Sequence, residues 1–239
     1  MKIENTPILA EKINYIKKTR SENLSAVFLS PEGRQYITLC YLAIKFENKN
    51  EIISNYCIWV DIESKDILSY LLKRLDLFII SAGRGALNLK LDFDLEDKIN
   101  KLNVIAFTSL VNWGMFFFEK QGYGHLANIS SVASQRGGGL APAYHASKAY
   151  QASYLEGMAQ RAAHGKSNID VTDIRPGFVR TPMTQGQEMF WTSTKEKAAT
   201  QIIKAIKRKK RVVYITKRWR FAAWVFRKIP WFIFKKILG

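Results

Sequence analysis

The chain has 239 residues, 47% of them hydrophobic, a formal net charge of +17 and two cysteines. That length and apolar content suit one substantial core, and α/β single domains reach this size. Cys40 and Cys57 form no CxxC pair and have no histidine cluster beside them, which excludes a disulfide framework and a zinc site.

The N-terminal stretch contains no uninterrupted apolar segment, and no run of about 20 apolar residues follows it. Neither a secretory signal nor a spanning helix is readable, so a cytoplasmic protein is expected. Apolar residues near helical spacing predict a helix over Ile8–Lys18 and another over Gln35–Phe46, with Ala26–Ser30 between them as a short buried strand. From there strands and helices alternate. Strands are expected at Tyr56–Asp61, Leu77–Ser81, His125–Ser130, Ile169–Ile174 and Arg211–Ile215; helices at Lys65–Leu75, Leu95–Lys120, Ser147–His164 and Thr194–Lys207. This order predicts an α/β fold: a three-layer, doubly wound parallel sheet over residues 1–216, with ligands at the carboxyl ends of its strands.

Within this frame, Tyr144-His-Ala-Ser-Lys148 sets a phenol and an ammonium four residues apart, on one face of a helix. A nearby cation favours the phenolate, so the pair suits proton exchange with a substrate oxygen. Asn128-Ile-Ser-Ser131 closes a predicted strand thirteen residues before Tyr144. Here the chain resembles the short-chain dehydrogenase/reductase family, whose catalytic serine holds that offset. Ser130 is the rival at the wrong offset. The resemblance implies that Ser131 binds the substrate oxygen, that Tyr144 exchanges the proton, and that Lys148 lowers the Tyr pKa and contacts the nicotinamide ribose. It also implies that Asn103, twenty-eight residues before Ser131, supports a water-linked proton path to Lys148.

Further matches widen the resemblance. Asp61-Ile62 looks like the family's adenine-contacting pair, and Ser81-Ala82-Gly83 stands where Asn-Ala-Gly is usual. Pro176-Gly177-Phe-Val179-Arg-Thr181 is similar to the segment that meets the nicotinamide and the phosphates. Tyr144 and Lys148 join this cofactor set. The implied activity is NAD(P)-dependent interconversion of a carbonyl and an alcohol in a homodimer or tetramer, with NADP favoured over NAD because Arg34 falls near the family's 2′-phosphate-binding residue. The Gly-rich phosphate turn that opens such chains is missing, so the N-terminal strand region reads as truncated or remodelled. Either Ala26–Ser30 is the second strand and the first lies upstream of Met1, or Ala26–Ser30 is the first and one strand–helix unit has been lost. A catalytically silent scaffold of the same family, binding a membrane or a protein partner, is the alternative.

From Lys204 onward stand 13 Lys/Arg and no Asp/Glu, so the rest of the chain carries about +4. In the tail, residues 217–239, Trp219, Phe221, Trp224, Trp231 and Phe232 are interleaved with cations, which suits an interfacial segment on anionic lipid at the inner membrane face. The alternative is a C-terminal helix packed on the core or on a second subunit. No nucleic-acid recognition motif accompanies the charge. Gly137-Gly-Gly139 reads as a loop near the substrate pocket and Phe190-Trp191 as part of a lid, suiting an apolar or lipid-derived carbonyl or alcohol.

Overall fold

Four strands pair in parallel in the order β1 (Leu77–Ile80), β2 (Tyr123–Ile129), β3 (Asn168–Pro176) and β4 (Val212–Ile215) in the computed structural model, which describes residues 75–180 and 190–237. The elements expected before Leu75, with Arg34, Asp61, Ile62 and the region of the missing Gly-rich turn, lie outside the described residues, as does Thr181. In register, Phe78 faces Leu126, Leu126 faces Val171, and Ile174 faces Val213. Three helices make the crossovers: α1 (Phe93–Gln121), α2 (Pro142–His164) and α3 (Lys195–Lys207). Two more, α4 (Arg218–Lys228) and α5 (Trp231–Ile237), close the chain.

A parallel sheet must be covered on both faces, and the strand side chains alternate between two cores accordingly. Phe78, Ile80, Leu126 and Val171 pack with Phe107, Leu110, Phe118 and Leu155 of α1 and α2. On the opposite face Leu77, Ala127, Ile174 and Ile215 meet Ala198 and Ile206 of α3. The expected doubly wound, three-layer architecture is therefore present.

Local chemistry sets the helix ends. At the start of α1, the Asp92 carboxylate accepts from the Asp94 N–H at 2.9 Å, and Gly122, at φ 87°, ends it in the left-handed conformation. At 29 residues α1 is long and apolar enough to cross a membrane by length and composition, and half of its most apolar stretch is buried inside the fold. Its Lys101–Ala106 stretch is π-helical. Helix α2 begins five residues earlier than hydrophobic spacing suggests, because Pro142 at its first turn lacks only an N–H that would have no helical partner there. That earlier start puts Tyr144 in the first turn.

Phe78 is fully buried and meets Trp113 edge-on with ring centroids 5.4 Å apart. Phe78→Ala is expected to cost about 3–5 kcal/mol, read as a lower urea midpoint with an unchanged slope.

Candidate active site

Residues at the carboxyl ends of β1, β2 and β3 converge on the first two turns of α2. Ser81, Ala82 and Gly83 follow β1: Ser81 is exposed, Ala82 packs on the larger core, and a Cβ on Gly83 would lie 3.2 Å from Lys148 Nζ. Asn103 is fully buried in the π-helical stretch of α1, a feature that recurs at functional sites. Its Oδ1 accepts from the Arg84 N–H at 2.9 Å, while Nδ2 donates to the Arg84 carbonyl at 2.8 Å and to Ser147 Oγ at 2.9 Å. The loop after β1, helix α1 and helix α2 are thereby tied through one carboxamide.

The two serines at the end of β2 separate cleanly. Ser130 donates its hydroxyl to the Asp173 carboxylate and to the Ile174 carbonyl, so it is spent on β3. Ser131 Oγ accepts from the Ala133 N–H at 3.1 Å, capping a short 3-10 turn at Val132–Gln135, and it hydrogen-bonds the Tyr144 phenol. Ser131 is thus the serine that faces the phenol. The Tyr144 ring lies flat on Gly85, where an added Cβ would come within 2.9 Å of it, so a side chain there would push the ring away. Burial raises the Tyr144 pKa, and the Ser131 hydrogen bond offsets part of that rise. The expected lowering by Lys148 is not among the causes; desolvation dominates.

Lys148 is almost wholly buried, and the loss of hydration brings its ammonium down to about 8, with Asp173 opposing the shift. It donates to the Ile129 carbonyl at 3.2 Å and to Gln151 Oε1 at 3.0 Å, and Gln151 Nε2 donates to the Asn103 carbonyl at 2.9 Å. Asn103 and Lys148 are therefore joined through the Gln151 carboxamide. Sequence reading missed Gln151. It stands three residues after Lys148 and seven after Tyr144, and that helical spacing was the available signal.

Pro176 ends β3, the Gly177 N–H donates to the Ile215 carbonyl at 2.6 Å, and Val179 bridges to Ser193. A Cβ on Gly177 would sit 2.1 Å from Trp219 Nε1, so the tail's first tryptophan packs directly on this turn. Phe178, Phe190 and Trp191 gather around Trp219 at centroid distances of 5.2 to 5.9 Å. Arg136, in the loop between Ser131 and Tyr144, donates to the carbonyls of Phe226 and Ile229 and lies 3.9 Å over the Phe234 ring. Neither role for Trp219 nor for Arg136 is visible in linear order.

Together these groups can do acid–base work on one oxygen: a serine hydroxyl and a phenol side by side, with a buried ammonium one turn away. They also fit the nicotinamide end of a dinucleotide, since Gly83 leaves room beside Lys148 that a side chain would fill. Among the described residues no cluster of His, Cys, Asp or Glu suits a metal.

Residues 64–190 match the family described as short chain dehydrogenase. An uncharacterised oxidoreductase of Staphylococcus epidermidis is 24% identical over 181 residues, 72% of this chain and 74% of that protein. The 2-dehydro-3-deoxy-D-gluconate 5-dehydrogenase of Bacillus subtilis is 33% identical over 118 residues, 47% of this chain and 44% of that one. Among solved structures, a short-chain dehydrogenase of Burkholderia cenocepacia in complex with NADP superposes with a TM-score of 0.66 at 17% identity, covering 75% of each chain.

The Lys148 shift carries a stability consequence. Its folded value of about 8 lies below the ordinary 10.5, so between these values the folded chain has released a proton that the unfolded chain keeps. Stability from this group therefore rises with pH across that window. Urea unfolding from pH 8 to about 10 is expected to show a rise in the wild type that is missing in Lys148→Met, and parallel curves would refute the burial-driven shift.

Proposed function

Because the chain belongs to the short-chain dehydrogenase family of NAD(P)-dependent oxidoreductases, we propose that it interconverts a carbonyl and an alcohol by hydride transfer, with Ser131, Tyr144, Lys148 and Asn103 as the working residues. The observation that carries this reading is the convergence of Ser131 and Tyr144 beside a buried Lys148 at the carboxyl end of the sheet. When bound, the nicotinamide exchanges the hydride with the substrate carbon. In the reducing direction the Ser131 hydroxyl donates to the carbonyl oxygen and stabilises the charge that grows there, and the Tyr144 phenol gives that oxygen its proton. Lys148, a cation held one turn along α2, is the proposed counter-charge to the phenolate left behind, while in the cofactor-free chain burial and Ser131, not Lys148, set the Tyr144 pKa. The alcohol leaves, and oxidation uses the same groups in reverse.

The cofactor set in this proposal is Gly83, Ser81 and Ala82 after β1, Tyr144 and Lys148 on α2, Pro176, Gly177 and Val179 after β3, and Asp61, Ile62 and Thr181. NADP is proposed over NAD on the strength of Arg34 in the sequence. An apolar or lipid-derived substrate is supported by Phe178, Phe190, Trp191 and Trp219 at the turn after β3. A homodimer or tetramer is supported by the exposed Ile105 and Phe116 on the outer face of α1.

The protein is proposed to act in the cytoplasm, on the membrane surface. Helices α4 and α5 are held to the body by Trp219, Ala223 and Phe234, while Phe221, Trp224, Trp231 and Phe232 each remain at least 60% exposed among Lys and Arg. Rings with cations around them suit the headgroup layer of an anionic bilayer.

Titration of the protein with NADPH, followed by tryptophan fluorescence, is expected to saturate, and Tyr144→Phe to lower carbonyl-reduction kcat/KM by a factor of about 10² to 10⁴ without loss of binding. A folded chain with neither saturable NADPH or NADH binding nor turnover would instead be the silent scaffold. Flotation on vesicles containing phosphatidylserine is expected for the full chain and is expected to be lost when Trp224, Trp231 and Phe232 are all changed to Ser; equal flotation of both would remove the membrane reading.

A further inference from the structure

Gln151 is fully buried on the core side of α2, where an aliphatic side chain would satisfy packing alone. A buried carboxamide is costly unless its donors and acceptor are used, so its bonds show what it is for. Its oxygen accepts from Lys148 Nζ at 3.0 Å and from Asn128 Nδ2 at 3.4 Å, and its nitrogen donates to the Asn103 carbonyl at 2.9 Å. The Asn103 carbonyl belongs to the π-helical stretch of α1, so Gln151 joins that stretch to Lys148 across the helix interface.

We propose that Gln151 is a positioning residue, its carboxamide fixing the place and charge of Lys148 and locking it to α1 at Asn103. The proposal rests on the reading of Lys148 as the residue that supports Tyr144. Among the described residues, Lys148 Nζ has two hydrogen-bond acceptors, the Ile129 main-chain carbonyl and Gln151 Oε1, so Gln151 is its side-chain partner. The charged group that bears on it from the packed elements is Asp173 of β3; Tyr144, the titratable group one turn away on its own helix, has no part in its shift. Asp173 is engaged elsewhere: it pairs with Arg175 and accepts the Ser130 hydroxyl. Tyr144 is turned to Ser131. Removing the Gln151 oxygen thus takes away an acceptor that Lys148 holds at 3.0 Å and shares with the more distant Asn128 Nδ2, and leaves a buried ammonium with one. The carboxamide has a second consequence. It accepts from Lys148 with one atom and donates to Asn103 with another, so it transmits position and charge across the link without handing a proton along it.

The test reads Lys148 in the cofactor-free full chain, through the titration of its ¹³Cε shift after lysine labelling, with Lys148→Met to assign the signal. Gln151→Leu is expected to lower the midpoint by about one pH unit, because the charged form loses a hydrogen bond. Gln151→Glu, which keeps an acceptor and adds a negative charge, is expected to raise it. If the Leu form does not fold, Gln151→Met, closer in volume, takes its place. A midpoint within about 0.3 unit of wild type in both the apolar and the Glu variants overturns the proposal, since a merely structural glutamine would change stability and leave Lys148 alone. The titration needs no turnover, so a failure here is distinguishable from a chain that lacks reductase activity.

Discussion

The burial of one ammonium organises the site. Lys148 sits on the inner side of α2 against the end of β2, where the loss of water works against its charge, and it stays charged near neutral pH because acceptors are brought to it. One acceptor is the last carbonyl of β2, at Ile129. The other is Gln151, itself held by the Asn103 carbonyl of α1. Each partner comes from a different element, so the place of the charge is set by how β2, α1 and α2 pack. The Asn103 side chain completes the frame by clamping the Arg84 main chain and Ser147.

The phenol is controlled by different means. Tyr144 lies in the first turn of α2, pressed on Gly85 and hydrogen-bonded to Ser131, and burial makes its proton harder to lose. A phenol held protonated is a suitable donor for carbonyl reduction, and the adjacent serine can share the charge that develops on the oxygen. Serine and phenol are thus coupled to each other, while the ammonium is held by acceptors of its own.

The basic tail is part of this arrangement. Trp219 covers the turn after β3, and Arg136 reaches from the loop between Ser131 and Tyr144 to the carbonyl ends of α4 and the ring of Phe234. An aromatic-cationic tail at the sequence level is, in three dimensions, a wall beside the site. Its inward residues anchor it while its outward aromatics stay exposed. Any surface that engages those aromatics does so close to the loop that carries the catalytic candidates.

Much of this was legible in linear order, because a parallel sheet writes its strands as continuous apolar runs and its crossovers as helices between them. Leu77–Ile80 and Val212–Ile215 follow their apolar runs closely, and Tyr144 and Lys148 share a face because helical spacing requires it. Offset favours Ser131 over Ser130 in the sequence, and in the fold Ser130 is bonded to Asp173 across the strand pair. What the sequence could determine by itself was periodicity and spacing, and these were enough for the architecture and for which residues fall at the strand ends. Tertiary packing alone decided that Asn103 is buried rather than exposed, that Gln151 bridges it to Lys148, that burial and not the cation governs Tyr144, and that Trp219 closes on Gly177. Those outcomes depend on desolvation and on contacts between residues 40 or more positions apart, such as Asn103 and Gln151, and no local pattern in the chain encodes either.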